Sequence, residues 1–189
     1  MFVRRGFFDQ SLCAALTDEI SSAPSRPSTV AEKAEDAVDA AYRKTVSAQV
    51  SETTRASVEQ RFTDLMPVLA DHFELPLARL QPPQFLLYRE GDYFRPHADQ
   101  EDDAPEYVRE RRVSAVVFLN GESDGGESLG SYSGGSLTFF GLMGDPRGDA
   151  VGFPLVGEAG LLVAFPSHVV HSVAPVTAGE RFTIVGWFV

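Results

Sequence analysis

VSAVVFLN, residues 113 to 120, is a short apolar run rich in valine that ends in asparagine and is followed by glycine. β-Branched side chains favour extended backbone, and a run of this length bounded by turn residues reads as a β-strand. Four more runs share the pattern, at 84–88, 136–140, 160–165 and 181–189. They are rich in Val, Phe, Leu and Thr, and Gly, Pro, Asp and Asn bound them. Short strands separated by turn signals predict a β-sandwich or barrel across the second half of the chain.

Upstream of Leu80 the periodicity changes. Asp9 or Ser11 can cap a short helix reaching about Ser21, with Leu12, Leu16 and Ile20 on one face. Two prolines then break the chain across 23–28, and residues 30–50 show no clear order. Val58, Phe62, Leu65, Leu69 and Phe73 form a second apolar stripe at helical spacing, which Pro67 is expected to kink or divide. Residues 121–135 hold six glycines and four serines and predict a flexible loop. The expectation is one α+β domain, with helices packed outside a β-core.

Composition narrows the function. The chain has 189 residues, of which 43% are hydrophobic, enough for one domain with a true core. The single cysteine, Cys13, excludes an internal disulfide and a cysteine-rich metal site. No signal peptide is read at the start, and no run approaches the ~20 apolar residues that span a bilayer. A cytoplasmic protein without membrane contact is expected. A net charge of −11 argues against a nucleic-acid partner, and Glu101-Asp102-Asp103 reads as a solvated acidic loop.

Against this background FRPHADQ, residues 94 to 100, gains interest. On a strand over 95–99, His97 and Asp99 would project from the same face and could share one ion. A third ligand can come from FPSHVVHSVAPV, residues 165 to 176. His168 and His171 are three apart and would face opposite ways on a strand. His171 opens an alternating run and is the expected ligand; His168 follows Pro166-Ser167 and is expected in a turn or behind the site. Two histidines and one carboxylate suit a non-haem iron(II) centre, and zinc accepts the same set. Arg181, ten residues past His171 at the mouth of a strand, tips the balance. A buried guanidinium needs an anion and grips a carboxylate bidentately.

Five stretches then follow one another: LLYREGDYFRPHAD (86–99), VSAVVFLN (113–120), GGSLTFFG (134–141), LLVAFPSHVVHSVAPV (161–176) and RFTIVGWF (181–188). In this order, and with GFFDQSLCAALTDEI (6–20) before them, they resemble the Fe(II)/2-oxoglutarate-dependent dioxygenases, most closely the prolyl 4-hydroxylase-like branch. The resemblance implies a double-stranded β-helix, or jelly-roll, core with N-terminal helices packed outside. One domain would span 1–189, with helical support over about 1–80 and the core and site over about 81–189. By the same resemblance His97, Asp99 and His171 match the iron ligands, and Arg181 matches the residue that pairs the far carboxylate of 2-oxoglutarate. Tyr88 and Trp187 match residues lining that pocket. Many relatives carry a tyrosine where this chain has Phe118, so either Arg181 lacks that partner here or Ser114, Tyr88 or Thr183 supplies a hydroxyl instead.

The cofactors so implied are Fe(II), 2-oxoglutarate as co-substrate and O2, with ascorbate an accessory the resemblance allows. The expected activity is hydroxylation of a prolyl residue in a protein or peptide, or of a small molecule. Asp99 favours hydroxylation, because related halogenases lack that carboxylate. A nucleic-acid demethylase of the same superfamily, a non-catalytic metal-binding barrel and a zinc hydrolase are the alternatives. Substrate-facing loops are expected at 100–112 and 121–135; nothing in the residues sets the oligomeric state.

Overall fold

The computed structural model describes residues 1–28, 39–123, 130–144 and 150–189. The N-terminal part contains β1 (Phe2–Arg4), α1 (Gln10–Ser22), β2 (Ser25–Pro27), β3 (Arg43–Lys44), β4 (Val46–Ala48) and α2 (Glu52–Phe73). Next come β5 (Gln84–Tyr88), β6 (Tyr93–His97), α3 (Glu106–Arg109), β7 (Val113–Phe118), β8 (Ser133–Gly134) and β9 (Leu137–Phe139). The C-terminal part adds β10 (Phe153–Leu155), β11 (Leu162–Pro166), β12 (His171–Val173), β13 (Val176–Ala178) and β14 (Arg181–Phe188).

Two sheets carry the fold. The larger has the order β1-β11-β7-β14-β5-β4-β2 and the smaller β10-β9-β12-β6-β3, with a β13-β8 ribbon beside them. Strand neighbours are far apart in sequence, as in the expected jelly roll. Each central strand of the larger sheet is buried on both sides, which explains its unbroken apolar runs. Val113, Ala115 and Val117 of β7 join the core under the helices, with Phe85 and Leu87 of β5 and Phe182, Ile184 and Phe188 of β14. The intervening residues, among them Leu86, Tyr88, Val116 and Phe118, pack with Leu137, Phe139 and Val173 of the smaller sheet. Period-2 alternation thus assigns one set of side chains to helix packing and the other to the barrel interior.

The helices form for local reasons and stay for tertiary ones. The Asp9 carboxylate accepts the Leu12 N–H at 2.8 Å and caps α1, while Cys13, Leu16 and Ile20 are buried. Ser51 caps α2 by accepting the Thr54 N–H at 3.3 Å. Pro67 does not divide α2, which runs unbroken from Glu52 to Phe73. Val58, Phe62 and Leu65 before the proline and Leu69 after it are buried in one core, so packing on both sides holds the element together. Gly186 lets the sheet approach, since a Cβ there would lie 3.1 Å from the Phe62 ring.

Two expectations are corrected. The first eighty residues are not helical support alone: β1, β2 and β4 extend the larger sheet and β3 the smaller. These strands have two or three residues each, and distant partners rather than local pattern hold them. The stretch 121–135 is not all loop either. Its described end forms β8, Tyr132 is buried, and Ser123 donates its N–H to the Tyr132 carbonyl at 2.8 Å.

Candidate metal centre

β6 and β12 are antiparallel neighbours, and their register places His171 opposite His97. Both imidazoles therefore leave the smaller sheet on one face, with ring centroids 4.3 Å apart. Each Nδ1 meets a main-chain carbonyl, Arg95 O at 2.8 Å for His97 and Val169 O at 3.0 Å for His171. A carbonyl only accepts, so both Nδ1 atoms carry the proton and both Nε2 atoms present a lone pair. Those lone pairs converge on one carboxylate: His97 Nε2 is 3.8 Å from Asp99 Oδ1 and His171 Nε2 is 3.6 Å from Asp99 Oδ2. Donor atoms of the three residues lie within 4.8 Å of one another, and they are the one such group found among the described residues. Two neutral imidazoles of fixed tautomer and one carboxylate fit a divalent ion and leave further positions open.

Asp99 reaches this place by a different route from the one expected. β6 ends at His97, and Asp99 lies beyond it in a turn. The turn is pinned from across the barrel, because Ser167 O accepts the N–H groups of Asp99 at 2.9 Å and Gln100 at 3.0 Å. Burial pushes the Asp99 carboxyl up, but His171, His97, a hydrogen bond from Ser114 and the Arg111 charge together hold it below its usual value. Burial, with the neighbouring His171 imidazole adding, lowers His97 to about 3.

That depression makes a pH prediction. An unfolded histidine takes up a proton near ~6.5, whereas native metal-free His97 does so only at about 3. The unfolded state binds more protons across that window, so stability falls as pH falls, by at most about 1.4 kcal/mol per pH unit for one proton. Urea unfolding of chelator-treated protein should show this decline between pH 6.5 and 4.5, and His97→Gln should flatten it. A slope that the substitution leaves untouched would show that His97 is not held neutral by burial.

Across the same cleft stands Arg181, first residue of β14 and only 1% exposed. Its register partner is Tyr88 of β5. The guanidinium donates to Thr183 Oγ1 at 3.3 Å. Its central carbon lies 5.0 Å from the Tyr88 ring, 5.1 Å from Phe118 and 6.0 Å from Tyr132. Arg181 Nε, although buried, has no hydrogen-bond partner among the described residues. A cleft of about 310 Å³ joins this guanidinium to His97, Asp99 and His171, with Tyr88, Thr183 and Trp187 also in its wall. The volume is at the lower end for small-molecule sites.

The residues singled out by sequence separate clearly. His97, Asp99, His171, Arg181, Tyr88, Thr183 and Trp187 all line the cleft. His168 is exposed in the turn before β12. Ser114 lies away from Arg181, with its Oγ 2.9 Å from Ser167 Oγ and a hydrogen bond to Asp99. Three residues escaped sequence reasoning. Arg111 is buried on the Trp187 ring at 3.9 Å, donating to Gln81 Oε1 at 2.9 Å and to the Asp99 carbonyl at 3.3 Å. Arg43 covers Phe94 at 4.8 Å, and Phe94 stacks on His97 at 3.5 Å. Tyr132 packs against Arg181, its ring 6.0 Å from the guanidinium carbon. Arginines read as surface residues unless a partner is known, and tyrosine in a Gly/Ser run carries no burial signal, so none of the three stood out.

Comparison with known proteins agrees with the geometry. Residues 83–189 match the family model of the 2OG-Fe(II) oxygenase superfamily. A PKHD-type hydroxylase of Maricaulis maris (strain MCS10) is 35% identical over 100 residues, 53% of this chain and 38% of that protein. One from Prochlorococcus marinus (strain MIT 9215) is 31% identical over 143 residues, 75% of this chain and 55% of that protein. The chain thus spans about half or less of the length of these relatives. A solved Pseudomonas putida prolyl-4-hydroxylase superposes with a TM-score of 0.73 at 24% identity, covering 99% of this chain and 90% of that one. A Trichoplax adhaerens prolyl hydroxylase, solved with a peptide fragment of the hypoxia inducible factor oxygen degradation domain, gives 0.70 at 16% identity, covering 99% and 82%. These likenesses establish the fold, a double-stranded β-helix core.

Proposed function

We propose, because the chain belongs to the 2OG-Fe(II) oxygenase superfamily, that it is a hydroxylase whose His97, Asp99 and His171 hold iron(II) and whose Arg181 receives the far carboxylate of 2-oxoglutarate. One observation carries this reading: two imidazoles with tied Nδ1 atoms face one carboxylate across the cleft from a guanidinium that is 1% exposed. With iron, 2-oxoglutarate and O2 bound, such a centre converts 2-oxoglutarate to succinate and CO2 and places one oxygen atom in a C–H bond of the substrate. The protein's part is placement. The Arg95 and Val169 carbonyls fix the imidazoles, and Ser167 fixes the Asp99 turn. Arg181 orients the co-substrate from the opposite wall, and Arg111 ties the Asp99 carbonyl to the Trp187 side of the cleft. In this reading 1–189 works as one domain.

The substrate we infer is a prolyl residue of a protein or peptide, or a small molecule of similar shape. It rests on the names of the relatives. Nucleic acid fits poorly. Arg43, Arg111 and Arg181 are buried in the cleft, while Asp102, Asp103 and Glu106 stand exposed near its rim. No helix among the described residues is long and apolar enough to cross a membrane.

The test is turnover. Protein reconstituted anaerobically with iron(II) and 2-oxoglutarate is exposed to O2, and succinate is measured with and without prolyl peptides and free proline. Iron- and O2-dependent succinate, raised by one substrate class, is the expected result. Hydrolytic activity with zinc and no O2 would establish the zinc alternative instead.

A further inference from the structure

The seat of Arg181 has more donors than the guanidinium. Of the rings around it, Phe118 offers none, and the Tyr88 hydroxyl is drawn to Arg43. Tyr132 is 1% exposed, its hydroxyl oxygen is drawn to the Arg181 guanidinium, and its hydroxyl proton has no acceptor among the described residues. Its backbone is clamped, with the N–H donating to Gly121 O at 3.1 Å and the carbonyl accepting from Ser123 N–H at 2.8 Å. Its ring is clamped as well. A Cβ at Gly157 would collide with the Tyr132 hydroxyl and lie 2.7 Å from the Phe118 ring. A Cβ at Gly135 would lie 3.4 Å from the Tyr132 ring and 3.1 Å from Arg181 Cδ. The two glycines thus keep open the slot in which phenol and guanidinium meet.

We propose that Tyr132 is a second binding residue for the far carboxylate of the 2-oxo acid, its hydroxyl donating beside Arg181. The claim rests on Arg181 being the seat of that carboxylate. A buried hydroxyl and a buried guanidinium N–H that both lack acceptors are destabilising where they stand. A carboxylate only accepts, and its two oxygens can satisfy both donors. Burial also raises the Tyr132 phenol above its ordinary value, Arg181 pulling the other way, so the hydroxyl keeps its proton at neutral pH and can donate. Placement so deep selects 2-oxo acids that carry a second carboxylate.

Calorimetric titration of the Mn(II)-loaded protein with 2-oxoglutarate and, separately, with pyruvate tests this. Tyr132→Phe should weaken 2-oxoglutarate by about ten- to a hundred-fold, the range of a hydrogen bond to a charged group. Pyruvate, which lacks the far carboxylate, should bind as before. Melting of the metal-free variant should stay or rise, because a buried hydroxyl proton without an acceptor has gone; a merely structural tyrosine would lower it. Gly157→Ala, which displaces the hydroxyl, should reproduce the selective loss. Unchanged 2-oxoglutarate affinity in Tyr132→Phe, or equal losses for both acids, would overturn the proposal. Should the wild type show no preference for 2-oxoglutarate over pyruvate, the seat at Arg181 falls, and the tyrosine with it. If the wild type prefers 2-oxoglutarate and Tyr132→Phe keeps that preference, the tyrosine alone falls.

Discussion

Arg181→Ala is expected to weaken 2-oxoglutarate binding by about 30-fold to several-thousand-fold, the ~2–5 kcal/mol lost when one partner of a buried charged contact is truncated. The size follows from where the residue sits. Arg181 is 1% exposed, its central carbon lies within 6.0 Å of three aromatic rings, and one side-chain hydroxyl accepts from it at 3.3 Å. Little water can screen a carboxylate arriving there, so the pair is stronger than a surface ion pair. Arg181→Lys should lose less than alanine, since it keeps the charge without the bidentate fork. Arg181→Met, which keeps bulk without charge, should resemble alanine and so separate electrostatics from packing. Manganese affinity should barely move, because the guanidinium is not among the ligand atoms. Titration calorimetry on the Mn(II)-loaded variants gives each affinity without turnover; equal 2-oxoglutarate affinity in wild type and Arg181→Ala would overturn Arg181 as the seat of the far carboxylate.

β14 shows why that residue stands out in the sequence alone. Its alternation sends Phe182, Ile184 and Phe188 under the helices and leaves Arg181, Thr183 and Trp187 on the cleft side. An arginine in phase with a site, opening an apolar strand, is conspicuous because period 2 is local and strict. The helices were readable for the same reason, their apolar stripes falling at helical spacing. What the local pattern could not carry is long-range. Asp99 leaves the strand because Ser167 captures its N–H from another part of the chain. The strands β2, β3 and β4 are held at distant edges, β3 on β6, β4 on β5 and β2 on β4. Tyr132 is ordered by pairings from 121 and 123 that a Gly/Ser-rich composition conceals. Each of these depends on hydrogen bonds that hydropathy and turn signals along the chain do not encode.

The same distinction between local and long-range contacts shapes the second large effect, loss of metal on His171→Ala. Opposite His97 in the β6–β12 register, His171 belongs to the one group of three donors among the described residues that could hold a metal ion. Even residues that merely orient a ligand change metal affinity by ~10–100-fold when removed, so deleting a ligand should cost more and abolish stoichiometric binding at micromolar protein. The ring also packs, 4.8 Å from Phe165 and 6.3 Å from Phe139. Alanine therefore leaves a small void, and a lower melting temperature alone would prove nothing about metal. His171→Gln fills that space and still lacks the imidazole, so it should lose the metal while melting close to the wild type without metal. His168→Ala is the control, since that imidazole is exposed and three residues away; it should bind manganese normally. Anaerobic titration with Mn(II), read by electron paramagnetic resonance of the free ion, gives stoichiometry and affinity together. Retention of one tightly bound ion in His171→Gln would move the third ligand elsewhere, and loss of it in His168→Ala would name the residue that took its place.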